Sequence, residues 1–171
     1  MKKKPNPPRS SEKTLEETPK PSAAHRRLKV FLGKWNLEGQ QLEGPFGPAA
    51  KITATQTYEW LAGEFFMIQR FNALLDGTQA ACIELVGYDA KSRTYRVQTF
   101  YNNGSTSKWQ LTERDGTWLL TGKSNVGGKP LGVRCTTVFS EAGDAMTATW
   151  EYSTDGTHWK TFWNVKSTKA A

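Results

Sequence analysis

A chain of 171 residues has room for one folded domain and an appendage. Its formal charge of +7 is uneven: residues 1–27 hold eight basic and three acidic side chains, residues 28–171 hold 15 and 13. This balance excludes a uniformly cationic nucleic-acid face on the folded part, and no apolar run is long enough for a membrane-spanning helix.

Residues 1–23 read as a disordered basic tail and 24–171 as a β-barrel domain. The tail contains Pro5, Pro7, Pro8, Pro19 and Pro21 and no aromatic residue, so it cannot bury enough apolar surface to offset the entropy of ordering. Its lysines suit solvation, with an acidic partner as the alternative. Lys2, Lys3 and Lys4 are not followed by the apolar stretch of a secretory leader, so the expected location is cytoplasmic. Cys82 and Cys135 lie far apart in apolar runs, without metal-ligand or redox spacing, and read as small buried hydrophobes.

One short helix is expected at 23–32, where Leu28, Phe31 and Leu32 form an apolar stripe that stops at Gly33. Strands follow near 35–42, 51–60, 64–74, 79–88, 94–101, 105–113, 117–123, 131–139, 145–153 and 158–167, each rich in β-branched and aromatic residues. Between them stand Asp76-Gly77, Asn103-Gly104, Asp115-Gly116 and Asp155-Gly156, dipeptides that accept positive φ cheaply. Only 43–50 is a long connection.

Short connections make consecutive strands antiparallel neighbours. About ten strands in an open sheet would leave two exposed edges, so the expected fold is all-β: an antiparallel up-and-down closed barrel with one short N-terminal helix. A two-sheet sandwich is the alternative. A barrel of this strand number has room for a small ligand.

Alternation points Ile52, Ala54, Gln56, Tyr58 and Trp60 inward, and likewise Trp109 and Leu111. The same rule selects Val133, Cys135, Thr137 and Phe139; Met146, Ala148, Trp150 and Tyr152; and Trp159, Thr161, Trp163 and Val165. Residues 64–74 and 94–101 carry large groups on both faces. Either the 23–32 helix covers their outer side or they lie in an interface.

Two histidines limit the chemistry. His25 sits beside Arg26 and Arg27, and His158 shares parity with Lys160 and Lys166, so both read as solvated. No nucleophile, phosphate-loop or metal motif is present, and no cofactor is assigned. Glu84 alternates with Cys82 and Val86, and the rarity of buried acids favours an outward placement. Turned inward, it would need Arg70, Arg96 or Arg134 as partner.

With the strands laid out, four elements carry a likeness: Leu28 with Leu32-Gly33-Lys34-Trp35 and Gly39; Trp60-Leu61-Ala62-Gly63-Glu64-Phe65-Phe66 with Gln69-Arg70; Gly87-Tyr88-Asp89 with Tyr95; and Asp155-Gly156-Thr157-His158-Trp159-Lys160. In this order they resemble a bacterial family of uncharacterised lipocalin-like, calycin-type barrels over about residues 24–167. The resemblance implies a cavity for a small apolar or amphipathic molecule. Nitrobindin-like haem barrels look like more distant relatives, although Asn36-Leu37-Glu38-Gly39 departs from their glycine-rich opening.

The reading is a non-enzymatic barrel for a small hydrophobic or amphipathic ligand, with membrane and nucleic acid not expected as partners. Tyr58, Trp60, Trp109, Trp150 and Trp163 would line it, Gln56 and Thr161 would offer polar contacts, and Arg70, Arg96 or Arg134 would take an anionic group. The alternatives are an enzyme using Glu84 or Tyr58, and a haem or nitrogen-oxide carrier using His158.

Overall fold

All ten expected strands form, and the sheet closes. The computed structural model describes residues 19–170, so residues 1–18, where most of the expected tail falls, lie outside the described residues. A short helix, α1 (Ala23–Arg27), runs through a 3₁₀ turn (Leu28–Phe31) into the strands: β1 (Gly33–Gln41), β2 (Ala50–Trp60), β3 (Phe66–Leu75), β4 (Thr78–Asp89), β5 (Thr94–Tyr101), β6 (Thr106–Arg114), β7 (Thr117–Val126), β8 (Lys129–Phe139), β9 (Ala145–Ser153) and β10 (Lys160–Lys169). Each is antiparallel to its neighbour in sequence, and β1 pairs with both β2 and β10. Closure leaves no strand edge open to another chain. Among the described residues no helix is long and apolar enough to cross a membrane.

Turn chemistry sets the register. The β3–β4 and β6–β7 hairpins have two-residue loops, Asp76-Gly77 with φ of 45° and 85° and Asp115-Gly116 with 50° and 78°. Positive φ at both central residues gives the turn whose twist matches right-twisted strands.

The N-terminal segment closes one end of the barrel. Leu28 is fully buried and Phe31 nearly so, packed with Trp35, Tyr95 and Trp118. The Trp35 indole N–H donates to the Phe31 carbonyl at 2.7 Å, and the Tyr95 hydroxyl donates to the Ala24 carbonyl at 2.7 Å. The segment therefore does not cover the outer side of the two-sided strands. Phe66, Ile83 and Phe100 stay exposed there, and the inner faces are Met67, Gln69, Phe71 and Ala73 on β3 and Tyr95, Val97, Thr99 and Tyr101 on β5.

One irregularity reverses an expectation. A bulge in β10 between Thr161 and Trp163 shifts the register. Before it, Thr161 pairs with outward Glu151, and Trp159 lies over Gly132 on the outside, with the Arg134 guanidinium 4.3 Å from its ring. Strict alternation placed Trp159 and Thr161 inward, but the extra residue turns Phe162 in beside Trp163 instead.

Candidate functional site: a cavity inside the barrel

Side chains fill the plugged end of the barrel but not the rest. Ten strands make a wide wall, and towards the open end Ala54, Ala73, Ala80 and Ala148 contribute little volume. A cavity of about 1550 Å³ remains. Phe31 forms its floor, and Asn102, Asn103, Ser124 and Asn125 lie at its rim. On the opposite side of the mouth Phe46, from the 42–49 loop, stacks on Phe162 with ring centroids 4.2 Å apart.

One wall is aromatic. Trp109, Trp150, Phe162 and Trp163 follow one another with ring centroids 5.8–6.3 Å apart. Such contacts prefer edge-on and tilted arrangements, which hold the rings as a rigid surface. The Trp163 N–H donates to Gln41 Oε1 at 2.8 Å, fixing that ring at the mouth.

The other wall carries a polar band. Cross-strand register puts Tyr58, Gln69, Glu84, Thr99 and Ser107 at one level of five successive strands, all facing inward. Directly opposed residues share a face, so register alone assembles this row. Gln69 Nε2 donates to Gln56 Oε1 and to the Tyr58 hydroxyl, both at 3.0 Å; Tyr58 donates to Gln56 Oε1 at 3.3 Å, and Gln56 Nε2 to Ser167 at 2.9 Å. Further round, the Trp109 N–H donates to Thr99 Oγ1 at 3.0 Å, and Thr99 donates to Glu84 Oε1 at 2.8 Å.

Burial dominates the titration of the band. It pushes the Glu84 carboxyl above its usual range, opposed by the Thr99 hydrogen bond. Burial first, and then the Glu84 charge, hold the Tyr58 phenol well above its ordinary value. Burial pushes the thiols of Cys82 and Cys135 up to about 12. Both are free thiols, inert at neutral pH.

The family model described as "Protein of unknown function (DUF1579)" matches residues 20–169. The chain belongs to that family. The match takes in the plug and all ten strands, hence every residue of the cavity. No curated protein matches the chain. Among solved structures it is similar to the S-type phycobiliprotein lyase CPES from Guillardia theta, with a TM-score of 0.57 and 10% identity over 88% of this chain and 94% of that one. At that identity the likeness shows the fold alone. The lipocalin-like resemblance read from the sequence holds at the level of the barrel.

In this DUF1579 barrel, Gln56, Tyr58, Trp109, Trp150 and Trp163 line the cavity, where alternation placed them. Trp60 also faces inward but packs at the plugged end, below the cavity. The three arginines do not reach the interior. Arg70 pairs with Glu59, Arg96 with Asp89, and Arg134 with Glu151 at 2.7 Å, all on the outer surface. Strand parity explains this: inward Gln69, Tyr95 and Val133 immediately precede them. Thr161 faces out because of the bulge.

His158 is 87% exposed, held 2.7 Å from Asp155 Oδ2 in the β9–β10 turn. It is no ligand to anything inside. His25 accepts the Ser22 N–H at 3.0 Å, and its ring meets the edges of Phe65 and Tyr88 beside the plug. No group of three metal-ligating side chains occurs among the described residues.

Glu84 corrects the expectation of an outward acid. Ile83 is the exposed neighbour, and Glu84 lines the cavity without an arginine partner. Sequence reasoning also passed over Gln69 and Thr99, whose strands looked apolar on both sides.

The raised Glu84 pKa sets a pH dependence. The folded chain keeps this proton to higher pH than the unfolded chain does. The stability it contributes is full below the unfolded pKa and is lost as pH rises through the folded value. Glu84→Gln keeps an acceptor for Thr99 and removes the charge. Urea unfolding should show no change at about pH 4 and a gain on the order of 1 kcal/mol at about pH 8.

Proposed function

We propose that this barrel hosts one small amphipathic molecule. The observation that supports the reading is the cavity itself: about 1550 Å³, reached from one end, with an aromatic wall facing a polar band. Ligand pockets are mostly apolar, with a few convergent polar groups that fix orientation. The aromatic wall supplies the driving force, at roughly 25 cal/mol for each Å² of apolar surface removed from water. A phycobiliprotein lyase has a similar barrel, and the ligand here is one that the named side chains would select. Gln56, Tyr58, Trp109, Trp150 and Trp163 remain its contacts. An anionic group on Arg70, Arg96 or Arg134 leaves the proposal, since those side chains point away.

The test incubates the purified full chain with a cellular lipid and metabolite extract and identifies what is retained by native mass spectrometry. One retained small molecule per chain is the expected result. Ala80→Trp, which fills the small-residue side of the mouth, should abolish retention without lowering the melting temperature. Retention of nothing, with tryptophan fluorescence unchanged by the extract, overturns the reading.

The inward Glu84 favours one second reading, acid–base catalysis in the same cavity. A carboxyl whose pKa is raised by burial is suited to proton transfer near neutrality. Tyr58 is a poor second base, because its proton is donated to Gln56 and its pKa lies far above neutrality. On this reading Glu84→Gln abolishes turnover of the retained molecule while leaving its retention intact.

A further inference from the structure

The polar band uses most of its N–H donors and the Thr99 and Tyr58 hydroxyls internally, while the Ser107, Tyr101 and Ser167 hydroxyls beside it can donate or accept. The Trp109 N–H goes to Thr99, the Thr99 O–H to Glu84, and the Tyr58 O–H to Gln56. Gln69 Nε2 serves Gln56 and Tyr58, and Gln56 Nε2 serves Ser167. Tryptophan can only donate, so Thr99 must accept from it, and its one hydroxyl proton is then directed at Glu84. Two acceptors remain open at the centre of the band: Glu84 Oε2 and Gln69 Oε1. Neither hydrogen-bonds another described residue, and neither is sealed from the cavity.

Charge agrees with this polarity. The charged residues lining the cavity are Glu84, Lys108 and Lys123. The lysines are exposed, alternating with inward Trp109 and Gly122, so among the described residues the interior holds one carboxyl group and no cation. The rings of Trp109, Trp150 and Trp163 line the same space, and aromatic faces attract cations once water is removed.

We infer that the ligand is an amphipathic amine, whose ammonium head donates to Glu84 Oε2 and Gln69 Oε1 while its apolar body lies against the tryptophan wall. The inference deepens the hosting role and rests on it. An ammonium is all donor and no acceptor, the complement of what the band leaves open. A carboxylate head would meet two acceptors, one of them acidic, and an alcohol could satisfy only one. The head would also favour the ionised form of Glu84, offsetting the burial that raises its pKa.

Binding should therefore tighten as pH rises through the Glu84 pKa, for as long as the amine stays protonated. The groups facing Glu84 do not titrate in that window. Tyr58 on β2, Cys82 on β4, Tyr101 on β5 and Cys135 on β8 are all shifted upward, and β3 and β6 offer only Gln69, Ser107 and Trp109.

The test titrates the full chain with dodecylamine, dodecanol and dodecanoate, below their micellar concentrations, and reads calorimetry and tryptophan fluorescence. Dodecylamine should bind at least about tenfold more tightly than dodecanol, with dodecanoate weakest, as expected of a charge-assisted bond. Glu84→Gln should bring the amine down to the level of the alcohol and leave the alcohol unchanged. Thr99→Val should shift the pH midpoint of amine binding upward, because it removes the bond that favours the charged carboxyl. Equal affinity for the three probes, or an amine preference that survives Glu84→Gln, overturns the inference while the hosting role stands. Failure of all three to bind defeats both.

Discussion

Gly39→Ala is expected to destabilise the barrel by about 3 kcal/mol or more, the largest effect of a single methyl group in this fold. Gly39 lies on β1 opposite Val165 of β10, on the seam where the sheet meets itself. A Cβ there would stand 2.2 Å from the Asn164 carbonyl oxygen, 2.8 Å from the Val165 Cα and 2.7 Å from the Val165 Cγ1. Two of those three atoms are backbone, so no rotamer change relieves the clash. The strands must separate, and with them the pairing that closes the barrel. Gly87→Ala is the control. Its Cβ would lie 2.5 Å from the Phe66 ring, but that ring is exposed and free to swing away. Urea midpoints should show a loss below about 1 kcal/mol for Gly87→Ala and several times that for Gly39→Ala. Equal losses would mean that the seam is no tighter than the rest of the wall.

The barrel was legible because its sequence signals are local. Asp-Gly dipeptides at 76–77 and 115–116 mark hairpins directly, and short loops leave antiparallel neighbours as the only economical arrangement. Inward faces were equally plain where one side of a strand is polar. In β2, Lys51, Thr53 and Thr55 leave Ile52, Ala54 and Gln56 to the interior. The same test fails on β3, β4 and β5, where Phe66, Ile83 and Phe100 stay exposed on the outside. There apolar character does not mark the inner face, and the polar band of Gln69, Glu84 and Thr99 is hidden by its apolar neighbours. Glu84 misled for a related reason: rules against buried acids assume a packed core, and an open cavity relaxes them. The bulge in β10 has no compositional mark, so a parity count passes through it and emerges one residue out of step at Thr161. The arginines were expected to meet an anionic group of the ligand, or Glu84 if it turned inward, yet Glu84 is served by a neutral hydroxyl. Each arginine finds its carboxylate outside.

Phe31→Ala should cost about 3 kcal/mol and alter the cavity at the same time. The 3₁₀ turn is anchored by the buried side chains of Leu28 and Phe31 and by the Trp35 N–H bond to the Phe31 carbonyl. The Phe31 ring lies 4.9 Å from Trp118, 5.0 Å from Phe139 and 5.4 Å from Tyr58, centroid to centroid. Removing it forfeits three aromatic contacts and the burial of a whole ring. The void left behind joins the existing cavity, because Phe31 is its floor. Two readouts separate packing from closure. Urea unfolding measures the loss of stability, and titration with alcohols of increasing chain length measures depth. A deeper cavity favours longer chains, so the best-bound alcohol should lengthen by about two methylenes, at roughly 0.8 kcal/mol for each one buried. A loss under about 1 kcal/mol with no change in preferred length would show that the turn docks loosely, leaving the cavity open at both ends. The polar band would then face solvent from two sides, and Glu84 would lose the burial that raises its pKa.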